Sequence, residues 1–200
     1  METKKSFLVI HNISKSKNVG SLLRSAAAFG VEEVWVIGSH KLKTFGNQGT
    51  AKRLCYRYFE SFSHLQTYAF ENSVTVCGVE ITETSQSIWN QPFKGSTAFI
   101  LGNEGVGLSA KEKEICELFV YIPQYSSNTE SLNVNVAGAI CLSHFANWAG
   151  FAESPIEGEK FKLQDPFGRE ANAKMAEEVR EARKNKQESE FLGDFDIEYL

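Results

Sequence analysis

Apolar side chains fall along the chain in two rhythms. Phe7-Leu8-Val9-Ile10, Val34-Trp35-Val36-Ile37, Val74-Thr75-Val76-Cys77-Gly78-Val79, Thr97-Ala98-Phe99-Ile100-Leu101 and Leu118-Phe119-Val120-Tyr121-Ile122 are short apolar runs. Such runs are the mark of strands buried on both faces. A further strand is expected near Tyr58–Phe62, and Pro123 stops the last run. Between the first two runs, Val19, Leu22, Leu23, Ala26, Ala27 and Phe29 recur at helical spacing, and Gly30 supplies a stop. Ser63 is expected to cap a helix running to about Phe70. Ser109 with Glu112 three residues on reads as a capping box. A long helix is expected from about Asn133 to Trp148. Strands alternating with helices specify an α/β domain over residues 1–150, a mostly parallel sheet flanked by helices on both faces.

Past Gly150 the pattern lapses. Residues 151–168 contain Pro155, Gly158, Pro166 and Gly168 and read as an extended connector. Residues 171–190 are rich in Ala, Glu, Lys and Arg, with Met175 and Val179 the only clearly apolar side chains. That stripe is too narrow to dock firmly, so 151–200 is expected to be an acidic, partly helical tail. No apolar run approaches the roughly 20 residues of a membrane span. The first residues lead straight into a strand, with no signal-peptide pattern.

Composition changes this picture only where it is divided. The 200 residues are 42% hydrophobic and 23% charged, ordinary globular usage. A net charge of −4 speaks against a polyanionic partner. Yet residues 1–60 carry ten Lys/Arg against four Glu, a surplus of +6, while 61–150 carry three against eight and 151–200 eight against thirteen. The basic part holds Lys15, Lys17, Arg24, Lys41, Lys43, Lys52, Arg53 and Arg57, interleaved with His40, Tyr56, Tyr58 and Phe59. Cations among aromatics suit phosphates and unpaired bases. Cysteines at 55, 77, 116 and 141 form no C-x-x-C pair and have no neighbouring His at metal spacing. Cys77, Cys116 and Cys141 each lie in an apolar pattern and read as free core thiols, and a reducing cytoplasmic or nuclear compartment with no metal is expected.

Three segments rich in Gly, Asn and Ser fall where strands should end: Asn18-Val19-Gly20 through Arg24, Gly102-Asn103-Glu104-Gly105-Val106-Gly107, and Ser126 through Asn135. Turns and caps use the same residues. Three such loops on one edge of a parallel sheet point to a ligand site. The spacing G-x-x-G-x-G at 102–107 is the reverse of the dinucleotide fingerprint and lacks the Gly-Lys-Ser/Thr of a phosphate loop. Glu104 would also repel a pyrophosphate there, so a ligand bearing positive charge or many donors fits better.

These segments resemble the SpoU/TrmH branch of the SPOUT S-adenosylmethionine-dependent RNA methyltransferases. The first family motif, N-x-G-x-x-x-R-x-A-x-x-F-G, is close to Asn18 through Gly30. The second resembles Phe99 through Leu108, and the third Ile122-Pro123 followed by Ser131-Leu132-Asn133-Val134. The likeness covers roughly residues 6–150. It implies a deep trefoil knot around 98–148 and a homodimer whose active site is completed across the interface. It also implies methyl transfer from S-adenosylmethionine to a ribose 2′-hydroxyl of RNA, tRNA being favoured over rRNA because compact relatives often act on tRNA. A catalytically silent RNA- or protein-binding relative that keeps the knot as a scaffold is the alternative.

Carried over by position, Gly102, Ile122 and Leu132 would hold the adenosine largely through backbone groups, with Val79, Glu80, Leu101 and Ser131 lining the same pocket. Arg24 would be the general base, or would grip the RNA phosphate while its charge favours the alkoxide; a guanidinium pKa above about 12 weighs on the first role. Asn18 and Asn133 would position Arg24 or the ribose. Glu104 would hold the catalytic loop or orient Arg24, and Ser131 belongs to the same site. Lys15, Lys17, Lys52 and Arg53 are the expected RNA contacts. Many relatives carry an N-terminal RNA-binding domain; with the first strand beginning by residue 6, none is expected here. Asn135 stands where relatives often have Ser or Ala.

Overall fold

The computed structural model describes residues 3–38, 45–47 and 49–161. Expectations for His40, Lys41 and Lys43 and for the helix over 171–190 lie outside the described residues. Contacts divide the chain into two units, Met1–Glu153 and Ser154–Leu200.

Among the described residues, the first unit holds seven strands: β1 (Ser6–Ile10), β2 (Glu33–Ile37), β3 (Cys55–Phe59), β4 (Thr75–Val79), β5 (Gln86–Ser87), β6 (Thr97–Leu101) and β7 (Leu118–Tyr121). They lie in the order β3-β2-β1-β6-β4-β7-β5, and every pairing is parallel. Helices α1 (Ser16–Ala28), α2 (Phe62–Glu71), α3 (Ala110–Glu114) and α4 (Val134–Ala149) accompany them among the described residues.

The continuous apolar runs are explained by two cores. Strand side chains alternate between faces, so Leu8, Ile10, Val34, Val36, Phe99 and Leu101 enter one core with Leu22, Leu23, Leu142 and Phe145 of α1 and α4. Phe7, Val9, Trp35, Ile37, Ala98 and Ile100 enter the other with Leu65 and Ala69 of α2 and with Ile115. Helices α1 and α4 lie against each other, close enough that a Cβ at Gly138 would collide with the Leu22 side chain.

Several local expectations hold. Gly30 terminates α1 at φ +69°. Ser109 and Glu112 form the capping box of α3, and Asn133 caps α4. Others are corrected. Strand β3 begins at Cys55 and ends at Phe59, so the cap of α2 is Ser61, whose Oγ accepts from His64 N at 3.2 Å. Ser63 lies inside the helix. The two-residue β5 was not foreseen. In the second unit Ile156–Glu157 pairs antiparallel with Lys160–Phe161 around Gly158 at φ +63°, a hairpin where an extended connector was expected.

Cys77 and Cys141 are buried, Cys116 half-buried and Cys55 exposed, all free. Burial pushes the Cys116 and Cys141 thiols up to about 12 and raises Cys77 well above its usual value. Thiols so shielded are inert packing groups. No helix among the described residues is long and apolar enough to cross a membrane.

Candidate active site

The chain runs outward from β1 to β3 on one side and places β6, β4 and β7 on the other. Loops leaving the carboxyl ends of strands at such a reversal enclose ligands. Here the loops after β4, β6 and β7 surround a cavity of about 600 Å³. Val79 and Glu80 form one wall, Leu101, Gly102 and the 103–107 loop a second, and Ile122, Ser131, Leu132 and Asn133 a third. All seven positions expected to hold adenosine therefore line one space, as do Glu104, Ser131 and Asn133 from the expected catalytic set.

The 102–107 loop folds back on itself, with Asn103 and Gly107 exchanging backbone hydrogen bonds of 3.0 Å in both directions. That fold needs glycine at both ends. A Cβ at Gly102 would collide with the Gly107 backbone, and Gly107 has φ +71° with Glu80 Oε1 2.8 Å from where its Cβ would stand. Glu80 braces the turn: Oε2 accepts from Leu108 N at 3.3 Å, and Oε1 pairs with Lys113 Nζ at 3.2 Å. Its role is to set the shape of the loop.

Asn103 then stitches this loop to the one after β1. Its Nδ2 donates to Asn12 O and Ser14 Oγ, both at 2.8 Å, and Asn12 is held at φ +52°. A non-glycine residue in that region costs free energy and persists where surrounding structure fixes it. The sequence reading assigned Asn103 no role. The only signal was its place inside the second motif.

Glu104 ends a directed chain of hydrogen bonds. Asn135 N donates to Asn133 Oδ1 at 3.0 Å, Asn133 Nδ2 to Asn18 Oδ1 at 3.1 Å, and Asn18 Nδ2 to Glu104 Oε1 at 2.8 Å. Lys15 N reaches the same oxygen at 3.2 Å, and Ser14 N reaches Oε2 at 3.1 Å. Every neighbour donates, so the partner must be a carboxylate. Partial burial opposes the charge, but the Asn18 amide and the backbone N–H groups of Glu104, Ser14 and Lys15 outweigh it and hold the pKa at about 2. Such a group is an anchor and a poor proton acceptor near neutrality. It ties the start of α1, the start of α4 and the glycine loop together.

Asn18 is thus joined to the site without lining the cavity. Arg24 is not brought there: it is exposed on α1 and carries no hydrogen bond or ion pair among the described residues. The glycine loop's Glu104 does not orient Arg24 within one chain. Lys15 lines the cavity rim, and Lys17 is exposed on the first turn of α1. Lys52 and Arg53 belong to a 3-10 turn, Thr50–Arg53, that packs on α1. Lys52 is exposed, whereas Arg53 is partly shielded, its Nε buried without a partner.

Two readings of the basic face are corrected. Arg57 is engaged: it donates to Glu33 from Nε at 2.8 Å and from a terminal nitrogen at 2.7 Å, and its guanidinium lies 4.5 Å from the centre of the Tyr68 ring. Phe59 is buried against Trp35 and cannot stack on a base. Tyr56 is half-buried with its hydroxyl donating to Ala51 O at 2.9 Å, and burial raises its pKa to about 12.

The SpoU rRNA Methylase family profile matches residues 5–143, a span that contains every residue of this site. The 23S rRNA (guanosine-2′-O-)-methyltransferase RlmB of Coxiella burnetii is 32% identical over 146 residues, 70% of this chain and 58% of that protein. Mitochondrial rRNA methyltransferase 1 of Homo sapiens is 30% identical over 198 residues, 86% of this chain and 54% of that one. The chain spans about half the length of the curated relatives it matches. Among solved structures, AviRb of Streptomyces viridochromogenes in complex with AdoMet superposes with a TM-score of 0.63 at 21% identity, over 76% of this chain and 60% of that one. The A. aeolicus TrmH/SpoU tRNA modifying enzyme gives 0.62 at 21% identity, over 74% and 75%. At that identity the likeness concerns the fold, and it is the profile match over 5–143 that decides membership: the chain belongs to the SpoU rRNA methylase family.

Proposed function

We propose that this protein transfers a methyl group from S-adenosylmethionine to a ribose 2′-hydroxyl of RNA. The observation that carries the reading is the directed hydrogen-bond chain from α4 through Asn133 and Asn18 to Glu104, which unites all three family motifs around one cavity. The cavity suits the cofactor. Apolar walls from Val79, Leu101, Ile122 and Leu132 meet a loop with closely folded backbone, matching a flat adenosine beside polar groups. S-adenosylmethionine would supply an electrophilic methyl carbon on its sulfonium.

The chain's own work is positioning. Gly102, Ile122 and Leu132 would bind the adenosine, with Val79, Glu80, Leu101 and Ser131 around it. Asn18 and Asn133 have their amides fixed by their partners, so Asn133 is an oriented polar group at the cavity wall, with Ser131 beside it, for the ribose. Aligning a hydroxyl with its target is a large part of what such a transfer requires. Glu104 is saturated by donors and keeps the loops together. Arg24 serves as a phosphate or alkoxide anchor, the role that suits a guanidinium. Its exposure away from the cavity supports a homodimer in which Arg24 of one copy completes the site of the other. The knot around 98–148, the absence of a metal and the separation of 1–150 from an auxiliary tail belong to the same proposal.

For the RNA itself, tRNA is the substrate proposed. The names of relatives at 30–32% identity, which specify rRNA, support the competing choice. Isothermal titration with S-adenosylmethionine tests the reading first, and transfer of a labelled methyl into total RNA by wild type and Arg24→Ala tests it second. Binding and transfer, with transfer lost in the variant, are expected. Absence of cofactor binding contradicts the enzyme reading and favours a silent scaffold.

A further inference from the structure

Phe45 lies in the described segment that leads to the 3-10 turn before β3, and the residue is 63% exposed. Exposure of one phenyl ring is ordinary. Phe70, 85% exposed on α2 beside Glu71, shows as much. What sets Phe45 apart is how it is mounted. Its N–H donates to Ser16 O at 3.1 Å, and its carbonyl sits so close to α1 that a Cβ at Gly20 would collide with the oxygen. Gly20 of the first motif is therefore a seat for the Phe45 backbone. The backbone is clamped to the first turn of α1 while the ring is turned to water.

The surroundings are cationic. Lys17 Nζ lies 5.9 Å from the ring centre. Among the described residues, Lys17 and Arg24 are exposed on α1, and Lys52 is exposed on the 3-10 turn that packs on it. At about 100° per residue, Ser16, Gly20, Arg24 and Lys17 fall within roughly a quarter turn of one another on α1, with Asn18 on the opposite side toward the cavity. Phe45 thus shares a helix face with Arg24 and Lys17.

We infer that the Phe45 ring is a stacking platform for an unpaired RNA base flanking the nucleotide to be methylated, with Lys17 neutralising the adjoining phosphate. The inference rests on the reading of the protein as an RNA methyltransferase. Phosphates alone would need only the cations. A fixed aromatic face among cations matches a base and its backbone together, and such stacking accepts any base. It adds a determinant of RNA binding that none of the three family motifs contains.

The test uses the full chain and a fluorescently labelled single-stranded RNA of about twelve nucleotides, a length within the usual footprint of such sites. Its blunt duplex and an acidic peptide serve as comparisons. Phe45→Ala and Phe45→Leu should each weaken single-strand binding about tenfold, with Phe45→Trp retaining it and its new indole quenched by the RNA. The salt dependence of binding should be unchanged in Phe45→Ala and reduced by about one counterion in Lys17→Ala. S-adenosylmethionine binding, unchanged throughout, reports that the variants are folded. Wild-type affinity in both Phe45→Ala and Phe45→Leu overturns the inference, as does wild-type affinity in Phe45→Leu alone, which would show apolar contact without stacking. If wild type methylates RNA and the Phe45 variants bind it normally, this inference alone falls. If wild type binds the acidic peptide and no RNA, the functional reading falls with it.

Discussion

Replacing Glu104 by Gln removes one charge and changes almost no volume, so it isolates the anchor. Glu104 accepts from Asn18 Nδ2 at 2.8 Å, Ser14 N at 3.1 Å and Lys15 N at 3.2 Å. A Gln amide has one acceptor, and its NH₂ group must face one of these N–H donors. Hydrogen bonds to a charged group contribute about 1.5–3 kcal/mol each where well shielded. Glu104 is only half-buried, so solvent screening lowers the loss to about 1–2 kcal/mol in all. In a domain of this size that corresponds to a fall in Tm of roughly 2–8 °C.

The dependence on pH is the sharper part. The folded carboxyl titrates at about 2, below its ordinary value of 4.5. A depressed pKa gives stability that is full above 4.5 and lost as the pH falls through about 2. Wild type should therefore exceed Glu104→Gln by the full amount at pH 7, and the gap should shrink between pH 4.5 and pH 2. Denaturant unfolding of both proteins across that range measures it, and the Glu104 carboxyl carbon followed by NMR gives the midpoint directly. A gap equally large at pH 3 and pH 7, or a midpoint near 4.5, would refute the reasoning.

Other parts of the structure give shorter tests. Gly20→Ala should destabilise the protein by about 1–3 kcal/mol in thermal or denaturant unfolding, because its methyl meets the Phe45 carbonyl and not a side chain that can rotate away. Truncation after Glu153 should leave methyl transfer largely intact. Truncation after Gly150 should lower Tm, since Phe151 N donates to Ala146 O at 3.0 Å and its ring packs on Phe145 and Gly30. Lys52→Ala with Arg53→Ala should weaken RNA binding at low salt and make it less steeply salt-dependent by about two counterions if both reach phosphates, measured by anisotropy titration. Asn133→Ala should cost about 1 kcal/mol as a lost cap of α4, and should reduce methyl transfer far more than S-adenosylmethionine binding.

The buried strands and the helices were legible because their apolar positions repeat at the periods the backbone dictates. Strand β3 was misplaced because it is an edge strand, half exposed and mixed in character as Cys55-Tyr56-Arg57-Tyr58-Phe59, so its pattern is weak. The true cap Ser61 then went unseen. Arg57 reads as one more surface cation until β2 and β3 are set in register, which places Glu33 diagonally across from it on the same face. No local pattern carries that pairing.

The site was legible to a different depth. Residues lining the cavity were reached through the motifs. Linkages through Asn103, Asn12 and Glu104 depend on loops separated by about ninety residues in sequence and on which way each amide points. Phe45 was missed because it stands in a loop, where periodicity says nothing. Its meaning depends on the closeness of its carbonyl to Gly20.

The central claim is that methyl groups arrive on ribose oxygen. It is tested most directly by incubating the protein with S-adenosylmethionine and RNA lacking the modification, digesting the RNA and separating the nucleosides by mass spectrometry. The account predicts a 2′-O-methylated nucleoside that appears with wild type and is lost with Arg24→Ala. Methyl groups found on a base, or none at all from a protein that binds both cofactor and RNA, would contradict it.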